Sequence, residues 1–132
     1  DHRDLHSFPT RRSSDLNYIE TATYGDGPKG RNRKETTSVR QFEIANAFGL
    51  SDMHGNVWEW CQDIWHKNYV GAPTDGSAWM TEGDDRYHIL RSGSWADVPE
   101  NCRSARRYFG QPGYRNPYIG FRVVSAPPGS LS

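Results

Sequence analysis

The chain is short of several things, and each shortage narrows what it can be. Only two of its 132 residues are cysteines, Cys61 and Cys102. Two thiols permit one disulfide at most and set no redox compartment. Neither sign of charge is in excess, because 16 Lys and Arg balance 16 Asp and Glu. That removes the electrostatic case for nucleic acid or an anionic membrane as partner. No apolar run approaches the roughly 18 residues of a membrane-spanning helix, and no signal-peptide pattern is visible. A cytoplasmic location is the expectation that follows. Sustained amphipathic helix periodicity and internal repeats are missing as well.

What is present is aromatic and loop-forming. Five Trp and seven Tyr stand in a chain that is only 34% hydrophobic, with 13 Gly and 8 Pro. The core is therefore expected to rest on a few large rings, in one loop-rich domain. Strands are expected at Val57–Cys61, at Tyr87–Arg91 and at Ile119–Val124, with Cys102–Tyr108 as a polar strand or short turn. Tyr18–Thr37, Trp65–Trp79 and Gln111–Pro117 read as long irregular segments, rich in Gly, Pro and charge.

The most informative stretch is Gly49-Leu50-Ser51-Asp52-Met53-His54-Gly55-Asn56-Val57-Trp58-Glu59-Trp60-Cys61. An oxygen-rich turn leads directly into a strand. Alternation puts Trp58 and Trp60 on one face and Val57, Glu59 and Cys61 on the other. Both faces read as largely buried. A carboxylate there is costly unless a cation or a hydrogen-bond network compensates it. A metal ion can do so, and so can a core arginine such as Arg103, Arg107 or Arg122, with Asp52 merely capping a turn.

Residues 1–16 read DHRDLHSFPTRRSSDL. They resemble a short-read sequencing adapter translated in frame, so they are set aside from fold reasoning. The expected domain is residues 17–132.

Across that span, NAFGLSDMHGNVWEWC, GAPTDGSAW, LRSGSW, NCRSARR and IGFRVV occur in one order. Together they resemble the formylglycine-generating enzyme (sulfatase-modifying factor) family. The resemblance implies an α+β, C-type-lectin-like fold of which this chain is a C-terminal part. The missing N-terminal half of the same domain would then be its first partner, within a larger bacterial protein. It also implies a structural calcium site formed by the Asp52 side chain, the Gly55 and Val57 carbonyls and the Glu59 side chain. Calcium prefers such hard oxygen donors. A second calcium site of the family falls at Asn17 and Arg31, where a cation replaces its acid, so it is expected to be lost.

The family's enzymes use two cysteines after a Gly-Ser-Tyr segment to bind copper and oxidise a sulfatase cysteine. Here the segment is Gly93-Ser94-Trp95. The first cysteine position is Asp97, and the second falls in a deletion. Carboxylate is a hard ligand where copper(I) requires a soft one, so no catalytic residue is carried over. Cys61 and Cys102 read first as buried free thiols, then as a disulfide, and last as a catalytic pair. His54, His66 and His88 lack ligand spacing and read as structural hydrogen-bonding residues. Glu82, Asp84 and Asp85 read as a solvated acidic loop. Arg103, Arg107 and Arg122 read as ion-pair partners for Glu59, Asp63 or Asp97. Two functions remain. One is a divergent oxidation enzyme or an accessory domain of the family. The other is a non-catalytic binding module for a protein or small molecule, with Asp97–Asn101 and Tyr108–Tyr118 as its contact surface.

Overall fold

In the computed structural model, residues 17–19, 33–43 and 45–125 are described. Strand β1 is Trp58–Trp65, β2 is Asp84–Arg91, β3 is Tyr108–Gly110 and β4 is Ile119–Phe121. They form one sheet in the order β3-β2-β1-β4. β1 is antiparallel to β2, β2 is antiparallel to β3, and β4 lies parallel to β1. A short 3-10 turn, Pro99–Cys102, is the helical element among the described residues. The small mixed sheet framed by loops agrees with the expected α+β class.

The strands differ in detail from the sequence expectation. β1 runs four residues past Cys61, through Gln62 and Asp63 to Trp65. Register shifts between Trp60 and Ile64, and between Ile64 and Trp65, let it carry these polar residues while still pairing with β2. β2 begins three residues early, at Asp84, so the acidic loop is in part strand; there Asp84 holds Arg86 through two side-chain hydrogen bonds. The Cys102–Tyr108 segment divides into the end of the 3-10 turn and the start of β3. β4 stops at Phe121, three residues short of Val124.

Alternation assigns the faces. Trp60, Leu90 and Tyr108 are aligned across β1, β2 and β3, and Trp58 packs 5.6 Å from the Tyr108 ring. Leu90, at the centre, has no exposed surface. A Cβ at Gly110 would lie 2.8 Å from the Trp60 ring, so any larger residue there would have to displace that ring. The opposite face carries Glu59, Cys61 and Arg91, and at its β3 end Phe109 packs against Trp65 and Tyr87. Among the described residues the buried hydrophobic ones are few: Tyr18, Trp58, Ile64, Trp79, Ile89, Leu90 and Cys102. Loops are therefore fixed by hydrogen bonds as much as by burial. Both His66 ring nitrogens lie within 3.0 Å of carbonyls, those of Ile64 and Thr81, while the ring stacks on Trp79. Asp63 accepts the Trp79 amide, which ties the same loop to β1.

Candidate functional site

The turn before β1 is wound by left-handed residues. Asp52 (φ 57), Gly55 (φ 80) and Asn56 (φ 65) all have positive φ. Asp and Asn tolerate this region better than most side chains, and glycine adopts it freely. The Asn56 amide donates to the Asn17 carbonyl at 2.9 Å, and its side chain clamps Thr37 through that residue's amide and carbonyl. The Gly55 amide donates to Ser92, and the Gly55 carbonyl accepts the Ser92 hydroxyl at 3.3 Å. Asp52 Oδ2 accepts the Arg40 amide at 2.7 Å.

Glu59 has a partner, and it is Arg122. The guanidinium Nε reaches both carboxylate oxygens, at 3.0 and 3.2 Å, and Nη2 adds a bond of 2.8 Å. Nη2 also donates to the Asp52 carbonyl at 3.2 Å, joining turn and strand. The pair is partly buried, with side-chain exposures of 18% for Glu59 and 31% for Arg122. Hydrogen bonding to Glu59 raises the Arg122 pKa above its usual range. Of the three arginines considered, then, one takes the carboxylate. Arg103 donates instead to the Glu100 carbonyl. Arg107 donates to the His66 carbonyl and lies over the Trp65 and Tyr69 rings, 4.9 and 4.4 Å from their centroids. The ion-pair reading is corrected for both: stacking on rings and bonding to carbonyls satisfy their guanidinium groups instead.

Asp52, Gly55, Val57 and Glu59 offer only oxygen donors, two from side chains and two from carbonyls. This donor set suits calcium in kind. The balance of charge is less favourable, since Arg122 already neutralises Glu59 and any ion there would share the carboxylate with it. Asn17, from the second family site, is buried and donates to the Glu35 carbonyl at 2.7 Å. Arg31 lies outside the described residues, as do residues 1–16.

Asp97, which the sequence resemblance sets against the family's first cysteine, is a structural clasp. Its Oδ2 accepts the Trp58 indole N–H at 2.8 Å and the Ser94 hydroxyl, and its Oδ1 accepts Asn101 Nδ2 at 3.1 Å. A buried indole N–H needs an acceptor, and here the carboxylate provides one. The Asp97 backbone adds two bonds, one accepted from the Ile19 amide and one donated to Ser94. This group holds the turn rather than presenting itself to a substrate.

Both cysteines are free thiols. Burial pushes the Cys61 thiol up to about 11, with Asp63 adding to the effect. Burial pushes Cys102 up to about 12, with Asp97 adding to it. Thiolate is the reactive form, so neither suits nucleophilic work near neutrality. Gly93 (φ 71) packs directly on Cys102, and a Cβ there would lie 2.6 Å from Sγ. Alkylation at pH 8 should leave Cys102 unmodified until the fold opens, as peptide mass mapping would show; rapid native labelling would count against its burial. The folded pKa values lie above the ordinary 9.0. The folded state thus keeps its thiol protons longer than the unfolded chain does. Stability from this source is complete below about pH 9 and is lost as pH rises toward 11 and 12.

The histidines behave as structural residues. His54 Nδ1 lies 2.7 Å from the Cys102 carbonyl, and His88 Nδ1 lies 3.0 Å from that of Gln62. Sequence reasoning missed Ser94, Asn101 and Asn56 as parts of the site. The one available signal was Trp58, whose indole requires a polar partner if buried.

Three comparisons bear on this geometry. The family model described as "Sulfatase-modifying factor enzyme 1-like domain" matches residues 7–127. The chain is 36% identical over 91 residues to "Serine/threonine-protein kinase pkn1" of Chlamydia caviae, a match covering 68% of this chain and 15% of that protein. It is 29% identical over 134 residues to the "Formylglycine-generating enzyme" of Mycobacterium tuberculosis, covering 91% of this chain and 38% of that one. Among solved structures, that of PvdO from Pseudomonas aeruginosa aligns with a TM-score of 0.68 and 39% identity, over 83% of this chain and 38% of the other. The chain thus spans well under half the length of each of these relatives. The family match over nearly the whole sequence, together with the shared fold, shows that this chain belongs to the formylglycine-generating enzyme, or sulfatase-modifying factor, family.

Proposed function

We propose that this chain is an accessory domain of a larger bacterial protein, a family member that does not generate formylglycine and is stabilised by calcium. The observation that carries the reading is the state of Asp97. Its carboxylate is occupied by Trp58, Ser94 and Asn101 at the position where the family's enzymes place a thiol. The two real thiols lie elsewhere, Cys102 buried and Cys61 partly buried, and hold their protons. The match to part of a protein named as a kinase supports a non-catalytic role, accessory or binding, because that relative carries a similar segment within a longer chain named for other chemistry. In this reading calcium is held by the Asp52 and Glu59 carboxylates and the Gly55 and Val57 carbonyls. Its contribution is to bind the turn to β1, with Arg122 sharing Glu59.

Incubation with a sulfatase-type cysteine peptide, copper and oxygen should give no aldehyde above a no-protein control. Mass spectrometry checks this directly, and detection of the aldehyde would overturn the reading. A binding-module role has one observation in its favour. Tyr108 and Tyr114, at or beside the contact surface expected from the sequence, are about half exposed. The domain composition of the full-length protein separates the alternatives. A His-rich helical domain favours oxidation chemistry, and a signalling module favours binding.

A further inference from the structure

We propose that His66 is held as the doubly protonated imidazolium and works as a proton-operated clasp on the loop between β1 and β2, residues 66–83. The residue is 7% exposed, which leaves water little access to its ring. Nδ1 lies 3.0 Å from the Ile64 carbonyl oxygen, and Nε2 lies 2.7 Å from that of Thr81. A carbonyl oxygen can only accept, whereas a neutral imidazole has one N–H and one lone pair. Either neutral tautomer would therefore aim a lone pair at a carbonyl oxygen inside the fold, where an unmade bond is costly. The imidazolium alone donates to both.

The surroundings are shaped to that ring. Trp79 stacks on it, with centroids 3.4 Å apart and planes 9° from parallel, and an indole face attracts a cation. Glu82 takes up φ 61, a region few side chains visit. Gly83 then packs so closely that a Cβ would lie 2.7 Å from both Cε1 and Nε2 of His66. The His66 carbonyl is held by Arg107 Nη1 at 3.0 Å. Charge around the ring balances. β1 brings Asp63, which accepts the Trp79 amide. The loop brings Lys67 and Glu82, and β2 brings Asp84, engaged by Arg86. Arg107 comes from the approach to β3. Three acids face three bases, so the two carbonyls and the indole hold the proton, rather than a neighbouring carboxylate.

Loss of the proton turns one of the two bonds into a repulsion. The contact that gives way is the one to Thr81, which bridges 15 residues, because the Ile64 carbonyl is only two residues from the ring along the chain. Glu82 and Gly83, next to Thr81, line an open cavity of about 500 Å³ together with Trp65, His66 and Trp79. The clasp therefore sets the width of that opening. The closed loop binds the proton more tightly than the open one, so closure is complete in acid and is lost as pH rises.

The test begins with long-range proton–nitrogen correlation spectra of the full-length protein at about pH 7, where an ordinary imidazole is mostly neutral. Both His66 ring nitrogens should carry a proton. The Ile64 and Trp79 amides, which join β1 to the loop, report on closure. Between about pH 6 and pH 9 their exchange, corrected for the intrinsic rate at each pH, should accelerate on the order of tenfold. His66→Gln, which has no titrating group at this position, should show no such rise. An unprotonated His66 ring nitrogen at pH 7 would overturn the proposal, as would protection of these two amides that is constant across the pH range. The spectra need no variant, so they decide the matter even if His66→Gln does not fold.

Discussion

Gly55→Ala should cost the fold about 3 kcal/mol, the sum of roughly 1–2 for a left-handed alanine and 1–3 for forced overpacking. Gly55 holds φ 80, and an added Cβ would stand 2.4 Å from the Asn17 carbonyl oxygen. That oxygen cannot move aside freely, because it accepts the Asn56 amide. Asn17 is itself buried and bonded to the Glu35 carbonyl. The strain therefore passes into the join between residues 17–19 and the turn, and from there toward β1. Thermal or urea unfolding of the full-length protein would measure the loss. A variant within about 0.5 kcal/mol of the parent, the usual range for a benign surface change, would mean that the turn is far more pliant than this packing allows.

Calcium should raise the melting temperature of the full-length protein, and a chelator should lower it. At about a hundredfold excess over the dissociation constant, linkage supplies roughly 2.7 kcal/mol. Two carboxylates, Asp52 and Glu59, and one guanidinium, Arg122, leave the site one net negative charge. That charge attracts a divalent ion less strongly than two free carboxylates would. Arg122→Gln should therefore cost different amounts in the two conditions. With chelator it should destabilise by about 1–2 kcal/mol, less than a fully buried pair because both side chains retain some exposure. With calcium present, the loss should shrink as the ion takes over the freed carboxylate. Glu59→Gln should remove most of the calcium increment, since it deletes both the charge and one ligand oxygen. Equal melting temperatures with calcium and chelator would leave the Arg122–Glu59 pair as the whole account of how that carboxylate is held.

Much of the site was legible because alternation is a local property. Trp58 and Glu59 fall on opposite faces for reasons contained in five consecutive residues, and the puzzle of a semi-buried carboxylate follows at once. Its answer was not local. Arg103, Arg107 and Arg122 sit in similar small or apolar settings, and only the parallel pairing of β1 with β4 selects Arg122. Parallel pairing leaves no turn signature, as a hairpin would. The same limit hid the Asp97 clasp: Trp58 needs an acceptor, but the sequence does not say which, and it lies 39 residues away. The extension of β1 through Gln62 and Asp63 was obscured because its irregular register breaks the period-two pattern. The early end of β4 has a different origin. Ile119–Val124 is apolar enough to be strand throughout, but a strand needs a neighbour, and pairing with β1 ends at Phe121.

The Glu59–Arg122 fork also sets a timetable for biosynthesis. The two residues are 63 positions apart, and β4 follows the other strands of the described residues. At a synthesis rate of about 5–20 residues per second, Glu59 waits roughly 3–13 s before its counter-ion is even polymerised. During that interval β1 and β2 can pair, since they are consecutive, but their sheet has an open side where β4 belongs and an uncompensated carboxylate beside it. Contacts of such long sequence separation are slow to form even once the chain is complete. The nascent domain is thus most exposed to misfolding while its last stretch is being made, and a ribosome stalled shortly before codon 122 would hold it in that state.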